Sequence, residues 1–145
     1  MTHAPSSTLF HNPATLPPPV GYSHVVQSRG GRLIHVSGQA ARDADGALVG
    51  EGDFTAQLHQ CFLNIQHALE AVGASMADLV KLNYFCDERV PQVDLRSVVV
   101  VRDRFVNTQR PPASSFVVVK RLVRPEWLIE IEAVAHVAAI EGSDA

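Results

Sequence analysis

Residues 53 to 73 constrain this chain more than any other stretch. Phe54, Leu58, Cys61, Phe62, Ile65, Leu69 and Val72 recur at i, i+3/i+4, i+7 over about five turns, the spacing that places one apolar stripe along an α-helix. Asp53 stands where an N-cap is wanted and Gly73 where a helix stops. A helix with one apolar face must bury it, so the rest of the chain has to supply the layer beneath.

That layer reads as β-structure. HVVQS (24 to 28) and RLIHVSGQ (32 to 39) are β-rich runs separated by Arg29, Gly30 and Gly31, a spacing that predicts a hairpin with glycine at the positive-φ positions. In residues 78 to 87, Val80, Leu82, Tyr84 and Cys86 alternate with Lys81, Asn83 and Phe85, which predicts a strand. SFVVVKRL (115 to 122) and LIEIEAVAHV (128 to 137) read as two closing strands. Residues 92 to 107 mix helical spacing with the β-prone run VVVV at 98 to 101; their length and the preceding Pro91 favour a second helix.

The expected order is β-β-α-β-α-β-β, an α+β single domain spanning 1–145 with a mixed sheet and two helices on one face. The proline-rich opening, residues 1–20, is expected to run extended over the surface, and residues 138–145 to form a flexible tail. In the last strand Ile129, Ile131, Ala133 and Ala135 point one way and Glu130, Glu132, Val134 and His136 the other. In the preceding strand neither face is polar. A sheet with so much apolar area on its uncovered side predicts self-association.

Composition narrows the function. A hydrophobic content of 46% over 145 residues supports one real core. The net charge is −3 and the twelve Lys and Arg are scattered, so a nucleic-acid partner is not expected. No stretch approaches the ~20 apolar residues of a membrane span, and no signal peptide is evident, which points to a cytoplasmic protein with no membrane partner. Cys61 and Cys86 lie in apolar segments without a CxxC, as free buried thiols would. The seven histidines form no HxH or HExxH set, and His59 and His67, eight apart, are too distant for one ion; neither a metal nor a cofactor is expected.

An ordered set of short stretches carries more than any one of them: NPATL, GYSHVV, VSGQ at 36 to 39, the Asn64 helix ending in AVGAS, DLVKLNYFCD, PPAS and LIEIEAVAHV. From Asn12 to Val137 the set resembles the Rid proteins (reactive intermediate deaminases, YjgF-type, in older usage endoribonuclease L-PSP-like). The resemblance implies a chorismate-mutase-like fold assembled as a homotrimeric barrel, with ligand sites in the clefts between subunits. It implies an activity as well: water attack on a small enamine or imine, such as 2-aminoacrylate, to give a 2-oxo acid and ammonia.

The same resemblance implies site residues. Tyr22 matches the tyrosine whose ring packs over the ligand, Ser37 the serine of SGQ, and Glu130 the glutamate that positions water, the catalytic role. The family's carboxylate-clamping arginine, in P-A-R-S, is here Ser114, and a cysteine of many members two residues on is Phe116. A neutral hydroxyl lacks the charge assistance of a guanidinium fork, by about 1 to 2 kcal/mol. The expected substrate therefore lacks the usual carboxylate or places it differently. Arg110, Arg121 and Arg124 are candidates to supply charge, and His24 to form a pocket wall. Glu130 and Glu132 could instead pair with Lys120 and Arg121 in an architectural role. Against a hydrolase stands a trimer that binds a small metabolite without turnover; ribonuclease ranks last.

Overall fold

The computed structural model describes residues 6–139. The chain forms β1 (Ser7–His11), β2 (Val25–Arg29), β3 (Arg32–Ala40), α1 (Phe54–Glu70), β4 (Leu79–Asp87), α2 (Arg96–Arg102), β5 (Ala113–Val119) and β6 (Ile129–Val137). Short 3₁₀ turns, Met76–Asp78 and Gln92–Leu95, lead into β4 and α2. The main sheet has the order β3-β6-β4-β5, with β4 and β5 parallel and the other pairs antiparallel.

α1 forms as its sequence predicts. Asp53 caps it by accepting from the Ala56 N–H at 2.9 Å, and Gly73 lies just past its end at φ +73°. Phe54, Leu58, Cys61, Phe62, Ile65 and Leu69 are buried against β3 and β6, while Val72, beyond the last turn, is exposed. Each large apolar side chain so buried stabilises the fold by roughly 1.5–3 kcal/mol. Phe62 anchors the layer, stacked on Phe105 (centroids 5.2 Å) and edge-on to Tyr84 (6.2 Å).

The alternation in β4 and β6 sorts the sheet into two faces. Leu82, Tyr84, Ile129, Ile131, Ala133 and Ala135 lie beneath the helices and are buried. Lys81, Asn83, Phe85, Glu130, Glu132 and Val134 share the other face and are half-buried. On the edge strand β5, Phe116, Val117 and Val118 are all exposed.

Four sequence expectations need correction. β2 and β3 do not form a hairpin: β2 pairs with β1, and β3 with β6 from its first residue, Arg32 opposite Val137. Gly30 and Gly31 have φ of +62° and +66°, yet the carbonyls at this corner are engaged elsewhere, Arg29 O by the Ser6 hydroxyl and Gly30 O by His136. A bend replaces the turn. The proline-rich opening contributes β1, a strand without sequence periodicity. The second helix is a 3₁₀ turn followed by only seven α-helical residues, ending at Arg102. β5 begins at Ala113 and ends at Val119, so Ser114 lies inside the strand and Lys120 outside it. The tail from residue 140 lies outside the described residues.

Candidate functional site

The expected site residues fall into two groups. The first gathers where the segment after the prolines meets the start of β5. Buried Ser23 donates its hydroxyl to Pro111 O at 2.6 Å and its N–H to Pro112 O at 3.2 Å, tying the segment that carries Tyr22 to the stretch that carries Ser114. The Arg102 guanidinium lies over Gly21, where any Cβ would come within 2.3 to 2.7 Å of it. With φ at +74° as well, only glycine suits this position. Tyr22 sits edge-on to His24 at 5.2 Å, and the His24 Nε2 is 2.8 Å from Pro17 O. Phe116 stacks on Tyr84 at 5.4 Å. The Tyr84 hydroxyl is buried without a hydrogen-bond partner among the described residues.

The second group gathers at a break in β3. The register with β6 slips between Val36 and Gln39, leaving Ser37 and Gly38 unpaired. Into this notch leans the Glu130 carboxylate, so close that a Cβ on Gly38 would lie 2.0 Å from its Oε1. Ser37 lines a cavity of about 270 Å³ with Lys81, Asn83 and Glu132, where Asn83 Nδ2 donates to Glu132 Oε1 at 2.9 Å. Glu130 lines a larger one, about 650 Å³, on the other side of Gly38. Burial, and secondarily the charge of Glu132, raises the Glu130 pKa above the ordinary carboxylate range.

Within one protomer the two groups stay apart. Ser114 is on β5 beside Leu82, on the helix side, whereas Glu130 is on β6, two strands across (roughly 10 Å) and three residues further along the strands (roughly 10 Å more), on the opposite face. The charged alternatives also separate. Arg110 donates to Thr8 O at 2.8 Å and covers the Phe10 ring at 4.7 Å, Arg121 is exposed, and Arg124 lines a small cavity with Arg42 and Trp127. Lys120 pairs with Glu88 at 2.5 Å rather than with Glu130 or Glu132, so within one protomer the pairing across neighbouring strands considered for the two glutamates does not form. Both thiols are buried and free: burial pushes Cys61 far up and Cys86 up to about 11, which removes them as nucleophiles near neutrality. Among the described residues no three His, Cys, Asp or Glu are placed to hold a metal ion, and no helix is long and apolar enough to cross a membrane.

Two arginines were missed as site residues by reasoning from sequence. Neither is singled out by its sequence pattern; DADG at 43 to 46 reads as a turn, and Arg42 stands just before it. The one signal for Arg42 was that turn, which fixes where its side chain emerges.

A small α+β domain with a mixed four-stranded sheet, an interrupted edge strand and a carboxylate seated in the interruption defines a recognisable class. The family model described as Endoribonuclease L-PSP matches residues 13–137. The 3-aminoacrylate deaminase RutC of Acinetobacter baylyi is 30% identical over 125 residues, 86% of this chain and 94% of that protein. Among solved structures, the Rid family protein YyfB of Yersinia pestis superposes with a TM-score of 0.82 at 37% identity, over 90% of this chain and 98% of that one. The YjgF gene product of E. coli superposes with a TM-score of 0.61 at 32% identity, over 74% and 81%. This chain belongs to the Rid (YjgF) family.

Proposed function

We propose that the protein is a cytoplasmic Rid-type hydrolase that converts a small reactive imine or enamine into a carbonyl compound and ammonia. One observation carries the reading: the Glu130 carboxylate, its proton affinity raised by burial, is aimed into an unpaired notch of β3 beside an open cavity. There it accepts a hydrogen bond from a water whose oxygen attacks the imine carbon. As the C–O bond forms, the C=N pair moves to nitrogen, which is protonated; the resulting carbinolamine expels ammonia as its hydroxyl proton leaves and the carbonyl forms. The substrate is already electrophilic, so positioning and exclusion of bulk water are what the protein must supply.

The site is completed by a homotrimer. Copies of the chain bring the Tyr22, Ser114 and Phe116 edge of one subunit to the Ser37 and Glu130 notch of another, across the apolar area left exposed on Phe116, Val117 and Val118. Ser114 then offers a hydroxyl and Phe116 a wall.

The test couples the protein to a pyridoxal-phosphate lyase that releases 2-aminoacrylate, with 2-imino acids from an amino-acid oxidase as further substrates. Accelerated ammonia release that drops roughly 10²-fold or more in Glu130→Gln supports the reading; no acceleration with any of them overturns it. Ser114→Arg gains activity toward imino acids, and an unchanged variant would tell against aligning Ser114 with the clamp. Neutral Ser114 favours one rival, a trimer that binds a small acid without turnover, and saturable binding with no ammonia release would establish it. The net charge of −3 and the dispersed basic residues argue against ribonuclease, despite the family model's name.

A further inference from the structure

The cavity of about 650 Å³ beside Glu130 is lined by a cation, Arg42, that forms no ion pair among the described residues. Arg42 emerges just before the Asp43–Gly46 turn and lines this cavity together with Asn64, Val123, Trp127 and Glu130. Its Nε donates to Gly46 O at 3.0 Å, which fixes the plane of the guanidinium. Gly46 is held at φ +82°, and a Cβ there would approach Nη2 to 2.7 Å, so a glycine is what allows the fork to lie against the turn.

The nearest carboxylate in sequence does not neutralise it. Asp43 Oδ1 accepts from the Asp45 and Ala47 N–H groups at 3.0 and 2.9 Å, folding its side chain back into the turn. Among the described residues the ion pairs are Asp87–Arg89, Arg102–Asp103 and Lys120–Glu88, and none involves Arg42. Neither Nη has a protein acceptor among the described residues, so the outer edge of the fork is available. The indole of half-buried Trp127 and exposed Val123 give the cavity an apolar wall, and Glu130 gives it a water-orienting group.

We propose that Arg42 is a substrate-binding residue, and that this cavity takes a small 2-imino or 2-oxo acid whose carboxylate pairs with the Arg42 fork. A planar guanidinium held by Nε matches a carboxylate through two parallel N–H···O bonds. The side chain of the acid then lies on Trp127 and Val123, and its C2 atom faces Glu130. The charge absent at Ser114 is thus supplied from β3's own turn, and small acids with apolar side chains are the preferred class. This rests on the deaminase reading for its chemistry and on the cavity alone for its binding.

Trp127 is the single tryptophan of the chain, so its fluorescence reports directly on this cavity. Titrated with 2-oxobutanoate and with its neutral analogue 2-oxobutanamide, the wild-type protein binds the acid saturably and at least about tenfold more tightly than the amide. Arg42→Gln abolishes that preference and Arg42→Lys recovers part of it. In turnover, Arg42→Gln raises KM for 2-imino acids and leaves KM for an imine without a carboxylate unchanged, a split that a structural role would not produce.

Equal affinity for acid and amide in the wild-type protein, absence of saturable binding, or an Arg42→Gln variant that keeps the wild-type preference overturns the proposal. The first two comparisons need no variant. Arg42-dependent binding without ammonia release would sink the deaminase reading and leave the carboxylate site standing, whereas turnover indifferent to Arg42→Gln would sink the carboxylate site alone.

Discussion

The two faces of the main sheet are made by the same strands, residue by alternate residue, yet they solve different problems. Beneath α1, β4 and β6 present Leu82, Tyr84, Ile129, Ile131 and Ala133, closed off from water and packed on Phe62, Leu58 and Ile65. On the other face the same strands present Lys81, Asn83, Glu130 and Glu132, half-buried and lining cavities. Period-two alternation lets one strand serve both purposes, because a change on one face leaves the other's side chains in place. The covered face therefore holds much of the free energy of folding, and the chemistry proposed for Glu130 belongs to the open face. Substitutions should divide accordingly.

The sharpest way to break that division is at its anchor. Phe62→Ala removes a fully buried ring that touches Phe105 and Tyr84, and the expected loss is about 3–5 kcal/mol by denaturant titration. If the faces are independent, the folded fraction of that variant keeps the wild-type KM; a changed KM would mean that the helix layer shapes the site as well.

Next in size is the junction between the faces. Asp87, 1% exposed at the end of β4, accepts from the Arg89 N–H at 2.9 Å, from Nε at 2.7 Å and from Nη2 at 3.1 Å. Arg89 Nη2 in turn reaches Pro125 O, which holds the loop that carries Trp127. The Arg89 hydrogen bonds are the main reason the Asp87 pKa is lowered, so this pair contributes stability above the ordinary carboxylate pKa and loses it as pH falls through the lowered value. Asp87→Asn should cost about 1.5–3 kcal/mol at neutral pH and flatten the acid limb of a melting-temperature profile. An unchanged acid limb would place the acid sensitivity elsewhere.

The contrast between the faces also explains what could be read from the sequence. α1 and β4 were legible because their apolar residues repeat at 3.6 and 2 and because Asp53 and Gly73 bracket the helix. β1 was not, since STLFH carries no period and its pairing with β2, Ser7 opposite Arg29, is non-local. Ser37 and Glu130 lie as neighbours about Gly38, whereas Ser114, expected to line an intersubunit cleft, is apart from both within one protomer. Its position on the helix side follows from the parallel register Leu82 opposite Ser114, a non-local property that no window around PPAS encodes. Arg42 escaped notice for the same reason: the turn was visible, but the cavity it borders is closed by β6 and Trp127, far away in sequence.

A smaller perturbation sharpens the comparison from the open side. Gly38→Ala would place a Cβ 2.0 Å from Glu130 Oε1, and the atom in the way is the mobile end of a side chain. The carboxylate swings rather than the backbone. Stability should fall by less than about 1 kcal/mol, while turnover falls about tenfold or more, because a displacement near 1 Å at a reacting group is expensive. Equal losses in melting temperature and kcat would show that Gly38 is needed for the bulge and not for the aim of Glu130.

The smallest effect tests whether the open face is dry enough to do chemistry at all. Burial is the main cause of the raised Glu130 pKa and the Glu132 charge the lesser one. Protonated Glu130 therefore favours the folded state, and that contribution is fully present below the unfolded-state pKa and lost as pH rises through the folded value. Glu130→Gln, which cannot ionise, should lose less melting temperature than the wild-type protein as pH is raised from about 4 to about 8. Glu132→Gln should recover only part of that difference, since it removes the lesser cause and leaves burial intact. In turnover the same group sets the lower pH limb, because a water-accepting carboxylate has to be ionised; Glu132→Gln should move that limb to lower pH. Parallel melting profiles for Glu130→Gln and the wild-type protein would mean a solvated carboxylate, and a notch so wet could neither raise a base nor exclude the water that competes with it.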